Sequence, residues 1–209
     1  LETAPSEENT LLSTPANTEG DKTVPGWEDD NDGHARQIQE TFDFVVDDIA
    51  YKKLNDTRVE VAPWYWKWTH SCTSGHTETV FAGTEYSNRE GGLTIPKEIT
   101  HDKQTYQVVG IGDNAFYNMT GTEVTLSEGL TYIGAGAFGY STCKTIEIPA
   151  SVTRLDEEAL HGDFTSITFA EGSELESIGN KAFWTCDITE LALPSTVKSL
   201  GSKVFSSCD

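Results

Sequence analysis

Phe116, Phe138, Leu160, Phe183 and Phe205 follow one another at steps of 22, 22, 23 and 22 residues. Five residues before each sits an aliphatic side chain: Ile111, Ile133, Leu155, Ile178 and Leu200. Three residues earlier still come Val108, Leu130, Val152, Leu175 and Val197. A third register predicts short strands around Val124 and Leu126, Ile146 and Ile148, Ile167 and Phe169, and Leu191 and Leu193. A segment of about 22 residues cannot enclose a core of its own, but stacked copies bury one another's columns, so the spacing predicts a solenoid.

The residues after the aliphatic column are Gly112, Gly134, Asp156, Gly179 and Gly201. They predict a corner that needs either a positive φ or a close backbone approach, with Asp156 substituting because Asp tolerates the left-handed region better than most. The same glycines produce formal dinucleotide fingerprints, through Gly110, Gly112 and Ala115 and again through Gly134, Gly136 and Gly139. Two such turns 22 residues apart leave no room for the roughly 30 residues of a βαβ unit, so the repeat accounts for both. The third coil departs from its neighbours at Asp156, Leu160 and Asp163.

Charge narrows the partners. The 209 residues carry a formal charge of −20, which repels phosphate backbones and anionic lipid and excludes nucleic acid as a partner. Residues 1–40 hold ten acids against two bases, with Trp27 as their one aromatic, and are expected to form an acidic disordered spacer. The sequence contains no transmembrane run, and it does not start with Met.

The phrases "SIGNKAFWTC", "SLGSKVFSSC", "TIEIPASVTRL" and "ELALPSTVKSL" resemble the leucine-rich repeats of BspA-like bacterial surface proteins. The resemblance covers residues 92–209 and implies a β-rich, right-handed solenoid of short parallel strands, with about five coils. "FDFVVDDIAYKKLNDTRVEVAPW" resembles the antiparallel β-hairpin module that precedes such repeats, giving a capping domain at 41–91. The alternation and the "LNDT" turn between Lys53 and Arg58 independently predict that hairpin. The C-terminal coil lacks a visible polar cap, which leaves self-association open as a partner mode.

Candidate sites follow from what the coils leave outside. On the strand face, alternation points Thr94, Glu123, Thr125, Thr145, Glu147, Ser166, Thr168, Glu190 and Ala192 outward. These rows are small and acidic, without an aromatic or Arg anchor, and suit a basic or extended partner held weakly per coil. Trp64, Tyr65, Trp66 and Trp68 form an alternative aromatic site for glycan or protein, weighed against their covering the junction between hairpin and first coil. His70, Cys72 and His76 supply one zinc half-site where two are usual, so no metal is expected there. Glu28, Asp30, Asp32 and Gly33 follow a calcium loop, but Glu stands first, Gln39 takes the twelfth position and no helices flank it. Of the cysteines Cys72, Cys143, Cys186 and Cys208, the last two share a column in consecutive coils. Buried free thiols are the expected reading, with a 186–208 bridge as the alternative.

No nucleophile elbow, HExxH or catalytic triad pattern is present, so neither enzyme activity nor a cofactor is expected. The resemblance implies a non-enzymatic surface or secreted module that binds host extracellular or matrix protein. It also implies export from an anaerobic gut or mouth bacterium, as an outer-membrane lipoprotein or in secreted form. The alternatives are glycan binding through Trp64 to Trp68 and a self-assembling spacer.

Overall fold

The computed structural model describes residues 35–40, 42–71 and 77–208, with the backbone alone for 35–40, 65–71 and 77–83. Six strands come first: β1 (Ala35–Glu40), β2 (Phe44–Val46), β3 (Ile49–Lys53), β4 (Arg58–Val61), β5 (Trp64–Ser71) and β6 (Thr77–Thr84). β7 (Leu93–Ile95), β8 (Glu98–His101) and β9 (Gln104–Ile111) lead into the repeats. The repeats contribute β10 (Val124–Leu126), β11 (Tyr132–Ile133), β12 (Thr145–Ile148), β13 (Arg154–Leu155), β14 (Ser166–Phe169), β15 (Ser177–Ile178) and β16 (Ser199–Leu200).

One sheet runs the length of this assembly. Its path is β16-β15-β13-β11-β9-β4-β3-β2, with β8 also paired to β9. From β4 to β16 the neighbours are parallel, so Val61, Ile111, Ile133, Leu155, Ile178 and Leu200 form one row across successive coils. The hairpin turn expected between Lys53 and Arg58 joins antiparallel β3 and β4, and β4 then pairs with the first repeat strand. β1 takes in the last residues of the segment read above as spacer: it lacks strand periodicity of its own and is set by pairing antiparallel with β5.

Behind the sheet each coil buries the same small set of side chains. Ala115, Ala137, Ala159 and Ala182 are fully buried beside Phe116, Phe138, Leu160 and Phe183. Small next to large lets the aromatic of one coil lie against the next: Phe116 and Phe138 stand 5.0 Å apart between ring centroids. The third coil, which has Leu160 in the aromatic column, recovers a ring four residues on. Phe164 is fully buried and meets Phe138 edge-on at 5.9 Å. Toward the N-terminus the stack continues through Tyr86, 5.0 Å from Phe116, then Trp64 and Phe42. Each fully buried Phe contributes roughly 2–3 kcal/mol.

The corner works by close approach, and the left-handed residue lies two positions further on. A Cβ on Gly179 would stand 2.6 Å from the carbonyl carbon of Asp156, and one on Gly201 would stand 2.4 Å from the amide nitrogen of Asn180. Positive φ falls instead on Asn114, Gly136, Glu158, Lys181 and Lys203, from 51° to 59°. Asp156 is absent from that set, so its tolerance of left-handed backbone plays no part. The turns stack through their backbones: Phe116 N–H donates to Ala137 O, Phe138 to Ala159, Leu160 to Ala182 and Phe183 to Val204, at 2.7 to 3.0 Å. The strand expected at Leu191 and Leu193 does not form: both are half-buried against the core, but no ladder pairs that segment with β14. A strand needs a partner across its hydrogen-bonding edge, and apolar alternation alone does not supply one.

Gly179→Ala is expected to cost about 1–3 kcal/mol in urea denaturation, because the neighbouring backbone, and no flexible side chain, must give way. Thr168→Ala, on the exposed strand face, should stay within about 0.5 kcal/mol of the parent. Equal stability of Gly179→Ala and parent would remove the close-approach account of the corner.

Candidate functional site

The residues expected on the strand face are exposed, although Glu190 and Ala192 flank Leu191 in a segment that forms no strand. Glu123, Thr125, Thr145, Glu147, Ser166, Thr168 and Glu190 are all exposed. Parallel pairing sets Thr125 beside Thr94, Thr145 beside Ser166 and Glu147 beside Thr168. The face is not continuous, because β10 pairs with β7 and β12 with β14 as separate two-stranded sheets. At the break, Glu123 substitutes for the ladder: its carboxylate accepts from the Cys143 thiol at 3.4 Å and from Lys144 N–H at 3.5 Å. Glu123 is therefore partly committed to the stack, whereas the sheet holds Glu147 only through its backbone pairing.

Trp64 is half-buried and packs between Phe42 at 5.7 Å and Tyr86 at 6.2 Å, both contacts edge-on. Tyr86 locks this junction, its hydroxyl donating to Ala62 O at 2.9 Å and accepting from Ala50 N–H at 3.0 Å. Trp64 thus joins the hairpin to the first coil. Tyr65, Trp66 and Trp68 lie on β5 with side chains outside the described residues, as does the side chain of His70. Cys72, His76 and the acidic run from Glu28 to Gly33 also fall outside them. Among the described residues no group of His, Cys, Asp and Glu is arranged to hold a metal ion.

The segment after the corner builds an arrangement that the strand-face argument missed. Tyr117 and Tyr140 meet edge-on at 5.5 Å, and the rings of Tyr140 and His161, at 4.2 Å, and of His161 and Trp184, at 4.6 Å, are tilted to one another. Tyr117, His161 and Trp184 each follow the aromatic column by one residue, and Gly139 stands at that position in the second coil. A Cβ there would come within 2.7 Å of the Tyr117 ring, so the glycine leaves room for it, and Tyr140 fills the row from the next position. That position after the buried column was the signal available in the sequence.

His161 is 2% exposed and its Nδ1 has no hydrogen-bond partner, the nearest charge being the Glu158 carboxylate at 4.0 Å. Burial pulls its pKa below the ordinary value and outweighs the upward pull of Glu158, while Lys181 adds to the lowering. Lys181 donates to Glu158 at 2.8 Å and holds its Nζ 4.6 Å from the centre of the Trp184 ring. The hydrogen bond to Glu158 raises the Lys181 pKa. Burial, with smaller contributions from Tyr140 and Glu158, raises that of Tyr117.

The cysteines have structural roles. Cys186 donates to Leu160 O at 3.1 Å and Cys208 to Phe183 O at 3.0 Å, each reaching back to the preceding coil. None of Cys143, Cys186 and Cys208 is in a disulfide, so no bridge joins 186 to 208. Burial raises the Cys143 and Cys186 thiols to about 12.

The profile of the BspA type leucine-rich repeat region matches residues 96–209 in six copies, one more than the aromatic column counts. The chain belongs to that family. Among solved structures it is similar to a leucine-rich repeat protein from Bacteroides ovatus, at 26% identity and a TM-score of 0.56, covering 80% of this chain and 40% of that one. It is also similar in fold to the T. pallidum leucine-rich repeat protein TpLRR, at 21% identity and a TM-score of 0.56, covering 77% of this chain and 64% of that one. The BspA-type chain thus spans less than two thirds of the length of either. No curated protein gives a significant match.

Two measurements check this chemistry. Because the folded pKa of His161 is depressed, its contribution to stability is fully present above the unfolded value of about 6.5 and is lost as pH falls through the folded value. Urea midpoints should therefore drop between pH 7.5 and pH 5 in the parent and drop less in His161→Phe. In native protein at pH 8, iodoacetamide should leave Cys143 and Cys186 unlabelled and should reach both once the chain is unfolded, as read by peptide mass mapping.

Proposed function

We propose that this BspA-type chain is a non-enzymatic protein-binding module, exposed at the cell surface or secreted, that adheres to host extracellular or matrix protein. In this reading the stack is a right-handed solenoid closed at its N-terminal end by the β2-β3-β4 hairpin. Export as an outer-membrane lipoprotein, with the acidic segment ahead of β1 as the spacer, belongs to the same proposal. What supports the binding site is the exposure of Glu123, Thr125, Thr145, Glu147, Ser166 and Thr168 on or beside β10, β12 and β14, and of Glu190 on the segment after β15. The row has small side chains between carboxylates, so an extended basic segment can lie close to it without displacing a bulky residue. Each coil adds one weak contact, and affinity comes from repeating it.

Solid-phase binding at physiological salt tests the reading, with fibrinogen, fibronectin, collagen and mucin as the panel. Saturable binding by the parent is expected, with loss of about tenfold or more in a Glu147→Lys, Glu190→Lys double variant, since like charge across an interface costs several kcal/mol. Binding by neither protein rules out the adhesion reading for this chain. Equal binding by both moves the site off the strand face.

A further inference from the structure

The geometry points to a second binding surface, the row Tyr117, Tyr140, His161 and Trp184, as a docking site for an arginine-bearing basic peptide. It lies on the turns that follow β9, β11, β13 and β15, and it does not rest on the strand-face reading. Its middle ring is open: Tyr140 is 53% exposed, while Tyr117 and Trp184 are half-buried on either side. Tyr117, Tyr140 and Trp184 lack the full burial of the Phe116, Phe138 and Phe164 column, and the buried His161 ring links Tyr140 to Trp184. His161 adds a buried ring whose Nδ1 is unpartnered.

Charge at the row selects the partner. Glu158 reaches both His161 and Lys181, and Glu157, exposed on the same turn, makes no ion pair among the described residues. The row already accommodates one cation of its own, Lys181 over Trp184. Glu158 neutralises that lysine, which leaves Glu157 and the Tyr140 ring as the next place for a positive group. A guanidinium suits it better than an ammonium, because it is planar, weakly hydrated and able to stack on a ring while its edge meets a carboxylate.

Ring orientation argues against a sugar. Successive planes turn by 73°, 59° and 34°, so the four rings offer no shared flat shelf, and the Trp184 face is occupied by Lys181. An extended peptide rising about 3.3 Å per residue crosses the row with four or five residues, placing alternate side chains on it.

NMR titration of the whole chain at 0.15 M salt tests the assignment, with an alternating Arg-Gly hexapeptide and its Lys-Gly counterpart as probes. The arginine peptide is expected to bind about 3–10 times tighter than the lysine peptide, with shifts at Tyr140, His161 and Trp184. Tyr140→Ala should abolish that preference, and Tyr140→Phe, which keeps the ring, should retain it. Glu147→Lys, on the strand face, should leave it intact, which separates this outcome from failure of the proposed adhesion site. Equal binding of the two peptides, or an arginine preference unchanged in Tyr140→Ala, would overturn the proposal. So would Tyr140-dependent binding of neutral hexasaccharides without any arginine preference.

Discussion

The stack rests on a contact between backbones. At the corners that follow Ile133, Ile178 and Leu200, the preceding coil comes so near that a Cβ on Gly134, Gly179 or Gly201 would lie within 2.4 to 2.9 Å of it. That approach sets the spacing at which Phe116, Phe138, Leu160 and Phe183 pass hydrogen bonds from coil to coil. It also sets the spacing at which their side chains meet. The hydrophobic columns supply most of the free energy, but they could be filled at several separations; the corner selects one.

Much of this was legible because each column is a one-dimensional statement. A residue every 22 positions that must be apolar, aromatic or without a Cβ appears in the sequence as itself. What the sequence obscured was substitution between columns. Phe164 restores the ring that Leu160 lacks from a position outside the aromatic column, and only the fold places it beside Phe138. The left-handed residues were hidden for a related reason: Glu158 and Lys181 bear no mark of the conformation that their stacked hydrogen bonds, to Asn180 O and Ser202 O, impose. The energy of αL backbone, roughly 1–2 kcal/mol for such residues, is met by a tertiary ladder and is invisible to local propensity. The joint between hairpin and repeats was half legible, since alternation gave β3 and β4 while the parallel pairing of β4 with β9 is a relation between distant segments.

The candidate strand face was legible from alternation alone, because a strand that buries Ile146 and Ile148 must expose Thr145 and Glu147. Alternation could not show that Glu123 bridges a break in the ladder, because the Cys143 thiol and Lys144 N–H that it accepts from belong to the next coil. Nor could it show the turn row. Tyr140, His161 and Trp184 come from three coils at unequal offsets, and they become one surface only when the coils are stacked in register.

The two surfaces differ in the kind of recognition they can perform. On the strand face each coil presents short polar side chains, so a partner gains little from any one coil and specificity must come from length. The turn row offers the reverse: a few large rings with a carboxylate beside them, able to grip one side chain. A chain with a formal charge of −20 attracts basic partners over its whole surface, and that attraction falls with salt. Short-range contacts at Tyr140 are screened far less, because ring and guanidinium exclude water where they meet. Long-range charge would then bring a basic partner to this protein, and the shape of the turn row would decide which basic side chain is held.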